Sequence, residues 1–168
     1  MATLSIEFHE LWSVDPFTAK GQPLKREPVA VHPNPDADVV VRVDGTAIVD
    51  RTALPRGVAL VPWCSMLADF IDTLEESTRS GYTLEGEPLG RVALKFRRAG
   101  DSVKVTPTMR GGGEPPIEPF DLSFAELQRA VYAFKEALRK ALMAELSKEQ
   151  AADAWARLWG ERLWNHES

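Results

Sequence analysis

The stretch GRVALKFRRAGDSVKVTP, residues 90–107, decides how this chain is organised. Val92, Leu94 and Phe96 alternate with Arg91, Lys95 and Arg97, the period-two pattern of a strand with one buried and one wet face. Gly100-Asp101 turns the chain back, and Val103 and Val105 continue the apolar face on the returning strand. This basic hairpin lies between a helix with an acidic outer face, ending near Ser80, and a helix that opens at Ser123. Strands, helix, hairpin, helix in that order predict an α+β domain. Its antiparallel sheet is built from the N-terminal strand and two hairpins, covered on one face by two or three amphipathic helices.

Upstream of the hairpin, Leu4, Ile6 and Phe8 alternate with Ser5 and Glu7 and predict a strand that continues loosely to Trp12. Five prolines (Pro16, Pro23, Pro28, Pro33, Pro35) then predict a loop over residues 15–38, with room only for a short edge strand near Val29 to Val31. A second hairpin follows, its strands flanking Asp44-Gly45, a pair that tolerates the positive φ values of a type I′ turn. Pro62 suits the first turn of a helix and Gly81 its left-handed end. Between them Trp63, Met66, Leu67, Phe70, Ile71 and Leu74 form one apolar stripe. Tyr82 to Glu85 reads as a further strand.

Downstream, three glycines and three prolines between Arg110 and Pro119 place a mobile loop within residues 107–120. Ser123 with Glu126 forms a capping box, and Leu122 with Leu127 a hydrophobic staple. Leu127, Val131, Phe134, Leu138 and Leu142 then make a second apolar stripe. Ser147 with Gln150 repeats the capping signature and predicts a separate C-terminal helix over residues 148–164; a nearly continuous helix to Trp164 is the alternative. The 168 residues suffice for one sizeable core, so a single domain is expected.

Composition narrows the function. A net charge of −5 disfavours a protein whose whole surface binds nucleic acid or an anionic membrane. Cys64 is the single cysteine, so no internal disulfide forms. The first 15 residues lack the basic and apolar regions of a signal peptide, and no stretch approaches the length of a membrane span. A cytoplasmic, soluble protein is the expectation.

No catalytic motif accompanies the fold. Gly111-Gly112-Gly113 lacks the Lys-Ser/Thr ending of a phosphate-binding loop. His9, His32 and His166 show none of the short spacings that hold zinc, and no cofactor motif is present. Cys64 is the one candidate nucleophile, because a thiol in the first turn of a helix is acidified by the helix dipole. It lacks a base nearby in sequence, and Trp63 and Met66 beside it favour a half-buried, inert thiol.

Charged surfaces remain. Residues 66–87 carry six acids against Arg79, and Asp69, Asp72 and Glu76 share the helix side opposite the apolar stripe. Residues 91–110 reverse the sign, with Arg91, Lys95, Arg97, Arg98, Lys104 and Arg110 against Asp101. The two patches serve solubility and pair with each other, or they recognise partners: a protein through either patch, or a phosphate backbone through the basic one. Stacking readers of nucleic acid place exposed aromatics among their basic residues, whereas Phe96 points to the core side. Trp164 lies off the stripe of the last helix and is a candidate anchor for a partner or a homodimer. Tyr132 and Met143 also lie off their helix stripe, facing either another part of the fold or a second chain.

Leu54-Pro55, then Leu60-Val61-Pro62-Trp63-Cys64 opening the acidic-faced helix, then Tyr82-Thr83-Leu84-Glu85, a hairpin, and Glu126-Leu127 opening a late helix form a recognisable layout. Over residues 39–146 it resembles small bacterial immunity proteins that neutralise a toxin from the same locus. That resemblance implies a non-enzymatic inhibitor or accessory subunit that masks a toxin's active surface, and it transfers no catalytic residue. The expected function is thus protein binding through Asp69, Asp72 and Glu76. Nucleic-acid association through Arg91, Lys95, Arg97, Arg98 and Arg110 is the first alternative, and an enzyme using Cys64 the second.

Overall fold

The alternation of Leu4, Ile6 and Phe8 with Ser5 and Glu7 becomes β1 (Leu4–Val14), which buries Leu4 and Ile6 and half-buries Phe8. The computed structural model describes residues 1–14, 26–29, 35–50, 58–76, 81–86 and 89–161. In it β1 pairs antiparallel with β3 (Asp36–Val43), with a bulge between Phe8 and Leu11. Asp44 (φ 49°) and Gly45 (φ 80°) turn β3 into β4 (Thr46–Asp50), giving the two consecutive positive φ angles of a type I′ turn. β2 (Arg26–Glu27) lies on the outer edge of β1, and β5 (Val58–Ala59) pairs with the start of β3.

Among the described residues a short edge strand lies at Arg26 and Glu27, ahead of the expected position, of which only Val29 is described. Pro28 has no amide with which to extend it, and Val29 sits in a turn. β3 begins at Asp36, inside the expected proline-rich loop. Most of that loop, including Val31, lies outside the described residues.

α1 (Leu60–Glu75) starts two residues ahead of Pro62, which still falls in the first turn, where no amide is needed. Its stripe buries Trp63, Leu67, Phe70, Ile71 and Leu74. The helix stops at Glu75, short of Ser80. Gly81 is not its left-handed cap but the first residue of β6 (Gly81–Gly86), opposite Arg97 in the ladder.

β7 (Gly90–Ala99) and β8 (Ser102–Met109) form the long hairpin, in continuous register from Ala99–Ser102 to Val92–Met109. Pro107 belongs to β8, at a point where its far-side neighbour has already ended, as a residue without an amide requires. That neighbour is β9 (Phe120–Ser123), a strand within the expected Gly/Pro loop and its exit. The strands thus divide between two antiparallel sheets, β2-β1-β3-β4 with β5 attached and β6-β7-β8-β9, where one sheet was expected. Among the described residues a backbone hydrogen bond from Ala2 N–H to Asp121 O (2.9 Å) joins the start of β1 to β9.

α2 (Phe124–Glu145) and α3 (Lys148–Trp159) are separate helices. Ser147 and Gln150 make the complete capping box, and Gly160 (φ 68°) ends α3 before the expected residue 164. At Ser123 only half of the box forms. The Ser123 hydroxyl accepts from Glu126 N–H (3.0 Å), but the Glu126 carboxylate accepts instead from Leu4 N–H (3.1 Å). Arg129 completes this clasp by pairing with Glu126 (2.6 Å) and donating to Leu4 O (2.9 Å).

One apolar core runs through both sheets and all three helices. Phe70 stacks on Phe96 at 4.5 Å and on Tyr82 at 5.3 Å, which seats α1 on the second sheet. Phe134 meets Phe8 edge-on at 5.9 Å, which seats α2 on the first. Removing the Phe70 ring therefore leaves a cavity at the α1–sheet contact. Phe70→Ala is expected to lower unfolding free energy by about 3–5 kcal/mol in urea titration, whereas the exposed Met143→Ala should change it by less than about 0.5 kcal/mol.

The clasp also sets a pH dependence. The hydrogen bond from Arg129 is the largest influence and holds the Glu126 carboxyl below the usual range; burial opposes it, and the Leu4 N–H and the Arg129 charge add to the lowering. A carboxyl that is more acidic folded than unfolded adds stability above its unfolded pKa, and that stability is lost as pH falls through the folded pKa. Unfolding free energy measured between neutral and acid pH should fall less steeply in Glu126→Gln than in the parent chain.

Candidate functional site

Helical spacing puts Asp69 and Asp72 on the outer side of α1, Glu76 follows just past its end in extended backbone, and all three are exposed. The fold adds Glu75 and two aromatic residues from other elements. Tyr132 on α2 donates its hydroxyl to Glu75 Oε1 (3.1 Å), and Gln128 Nε2 donates to the same oxygen (3.0 Å). Tyr82 on β6 lies beside Asp69. Both tyrosines of the chain thus meet carboxylates of α1. Tyr132 remains 49% exposed.

These contacts matter because the donors are neutral. A phenol or an amide orients a carboxylate without cancelling its charge, and among the described residues no Lys or Arg forms an ion pair with Asp69, Asp72 or Glu75. The carboxylates in turn make both phenols harder to ionise. Burial and then the Asp69 hydrogen bond and charge push Tyr82 up to about 12. For Tyr132, burial acts first, then Glu75, then the charge of Asp72. The face therefore combines concentrated negative charge with phenols held in their neutral form.

The basic hairpin divides into used and unused cations. Arg98 does not face solvent with its neighbours: its guanidinium donates to Leu74 O (2.6 Å) and Gly100 O (2.7 Å) and lies 3.6 Å from the Phe124 ring centre. It has the strand parity of Phe96, so it turns to the helix side and ties α1 to β7. Its expected place in a binding face is thus corrected. Arg91 and Arg110 are exposed, but Arg91 donates to Arg110 O (3.2 Å) and Gly112 O (3.0 Å), and Arg110 donates to Gly90 O (2.6 Å). The glycine loop expected to be mobile is anchored at its base by these bonds. Lys95, Arg97 and Lys104 stay exposed on the outer face of the second sheet, Arg97 directly opposite Lys104, without hydrogen bonds or ion pairs among the described residues.

Cys64 lies a full turn inside α1 because the helix starts at Leu60, and it is completely buried. Burial pushes its thiol pKa far up, the reverse of an activated nucleophile. Among the described residues no group of His, Cys, Asp and Glu could hold a metal, and no helix is long and apolar enough to cross a membrane. Trp155 and Leu158 are core residues, with Trp159 packed beside them. Trp164, His32 and His166 lie outside the described residues. No protein-family model matches the chain, no curated protein matches it in sequence and no solved structure matches its fold.

The Asp69–Tyr82 pairing can be read directly in a Tyr132→Phe background, which leaves Tyr82 as the one phenol of the chain. Asp69→Asn should lower the Tyr82 pKa from about 12 but leave it above its ordinary value of 10.0, since burial is the larger cause. Tyrosinate absorbance against pH measures this.

Proposed function

We propose that the chain is a non-enzymatic protein-binding module that presents the outer face of α1, with Tyr82 and Tyr132, to a basic surface on a partner protein. The observation that carries this reading is the half-exposed Tyr132 held against Glu75, beside Asp69 and Asp72, three carboxylates that form no ion pair among the described residues. Tyrosine supplies rigid apolar contact with a polar tip, and concentrated charge steers a complementary partner and raises its association rate. An inhibitor of a toxin that acts on nucleic acid would use such a face, since the toxin's own surface must be basic to hold its substrate. An accessory subunit of a larger assembly would use it in the same way.

Lys95, Arg97 and Lys104 support a second reading, association with nucleic acid across the outer face of the second sheet. It is the weaker one, because Arg91, Arg98 and Arg110 are engaged within the fold and no aromatic residue of β7 or β8 is exposed for stacking.

Tagged chain purified from its native cells, with and without nuclease, separates the two. A stoichiometric protein partner should survive nuclease. Charge reversal by Asp69→Lys, Asp72→Lys and Glu76→Lys should abolish its capture while the thermal midpoint stays within a few degrees. Capture that persists in the reversed variant would rule out this face, and loss of every partner on nuclease treatment would favour the basic sheet.

A further inference from the structure

Among the described residues β1 has only one full partner. β3 bonds one edge along its length, whereas on the other edge β2 pairs only with Ser13 and Val14. The backbone groups facing that second edge are identified at Leu4, whose N–H and C=O are taken by Glu126 and Arg129. Alternate residues of a strand direct these groups the same way, so those of Ile6 and Phe8 face the second edge as well. Among the described residues nothing bonds them there. An open stretch of edge beside one that already accepts β2 is a template for another strand.

α2 runs alongside this edge and leaves room. Arg129, Ala133 and Ala137 recur every four residues, about 6 Å apart along a helix, close to the spacing of about 6.8 Å between alternate residues of a strand. Arg129 serves Leu4, and the next two positions carry only methyl groups where a longer side chain would fill the space. The result is a groove of about 380 Å³ lined by Leu4, Ile6, Phe8, Arg129, Ala133 and Ala137. A further cavity of about 510 Å³ continues it past Phe8 and His9 to Trp12, between β2 and the Ala141–Glu145 end of α2. Glu10, Glu27 and Glu145 line this second part, and its one guanidinium, Arg26, is already bonded to Asp38 (3.0 and 3.1 Å) and Glu10 (3.4 Å). The Trp12 Nε1–H is buried here without a partner among the described residues.

We propose that this groove binds an extended segment of a partner protein, which adds to β1 as a strand alongside Ile6 and Phe8. The open N–H and C=O groups require an extended backbone, since a helix has bonded its own internally. Ala133 and Ala137 leave room for small side chains, and the carboxylates around Glu10 and Glu145 select a Lys or Arg at that end. The groove shares no residue with the acidic face of α1, so its test stands apart from that reading.

A displayed library of short random peptides, selected on the full chain, provides the probe. Enriched peptides should alternate small apolar residues with Lys or Arg. They should bind Ala133→Phe/Ala137→Phe, whose substitutions fall at exposed positions, about tenfold more weakly or worse. In the peptide complex, amide exchange at Ile6 and Phe8 should slow by about tenfold or more. Should the double variant melt early, Glu145→Lys, also at an exposed position, gives a second measure and should weaken the same peptides. Failure to enrich any peptide, equal binding by parent and variants, or unchanged exchange at Ile6 and Phe8 would overturn the proposal.

Discussion

The clasp at Leu4 is the constraint on which the arrangement of this molecule depends. Leu4 N–H and C=O are bonded by Glu126 and Arg129, more than 120 residues away in the chain. Glu126 leaves its local capping role to make this bond, so a helix-start signal has been redirected to a tertiary purpose. Nearby, Ala2 bonds β9 directly. These contacts hold the start of the first sheet against the end of the second. They also fix α2 alongside β1, and so fix the depth of the groove that its alanines leave open.

With the sheets tied in this way, the three helices share one core and their outer faces are free to differ. α1 sits on the second sheet through Phe70, which turns Asp69, Asp72 and Glu75 outward beside Tyr82. α2 brings Tyr132 and Gln128 to the same carboxylates. Neutral donors orient these acids and leave their charge in place. Arginines are employed differently: Arg98, Arg91 and Arg110 each bond backbone carbonyls and act within the fold. These carbonyls orient the guanidinium groups within the fold and, like the phenols beside the acids, leave their charge in place.

Local signals in the sequence were readable where one residue type has one physical use. Asp44-Gly45 reports its turn, Ser147 with Gln150 its helix start, and the α1 stripe its buried face. β9 was hidden because its four residues follow a run of glycines and prolines and take their ladder partners from β8. The division into two sheets was equally hidden, since alternation shows that a strand has a buried face and not which strand lies beside it. Asp69 and Asp72 could be grouped by helical spacing alone, whereas Glu76, expected on the same spacing, falls just past the end of α1 in extended backbone. Tyr82 and Tyr132 could not be added to them, because their places depend on how β6 and α2 pack around α1. Arg98 was misplaced for a related reason: its charge suggested the wet face, whereas its strand parity put it on the helix side.

The most direct test of the acidic, tyrosine-flanked face is amide hydrogen exchange of the chain alone and in complex with the protein partner it captures from its native cells. Slowed exchange is expected over the outer turns of α1 around Asp69 and Asp72, over β6 at Tyr82 and over α2 around Gln128 and Tyr132, with β8 around Lys104 unchanged. Protection concentrated on β7 and β8, with α1 unaltered, would contradict it.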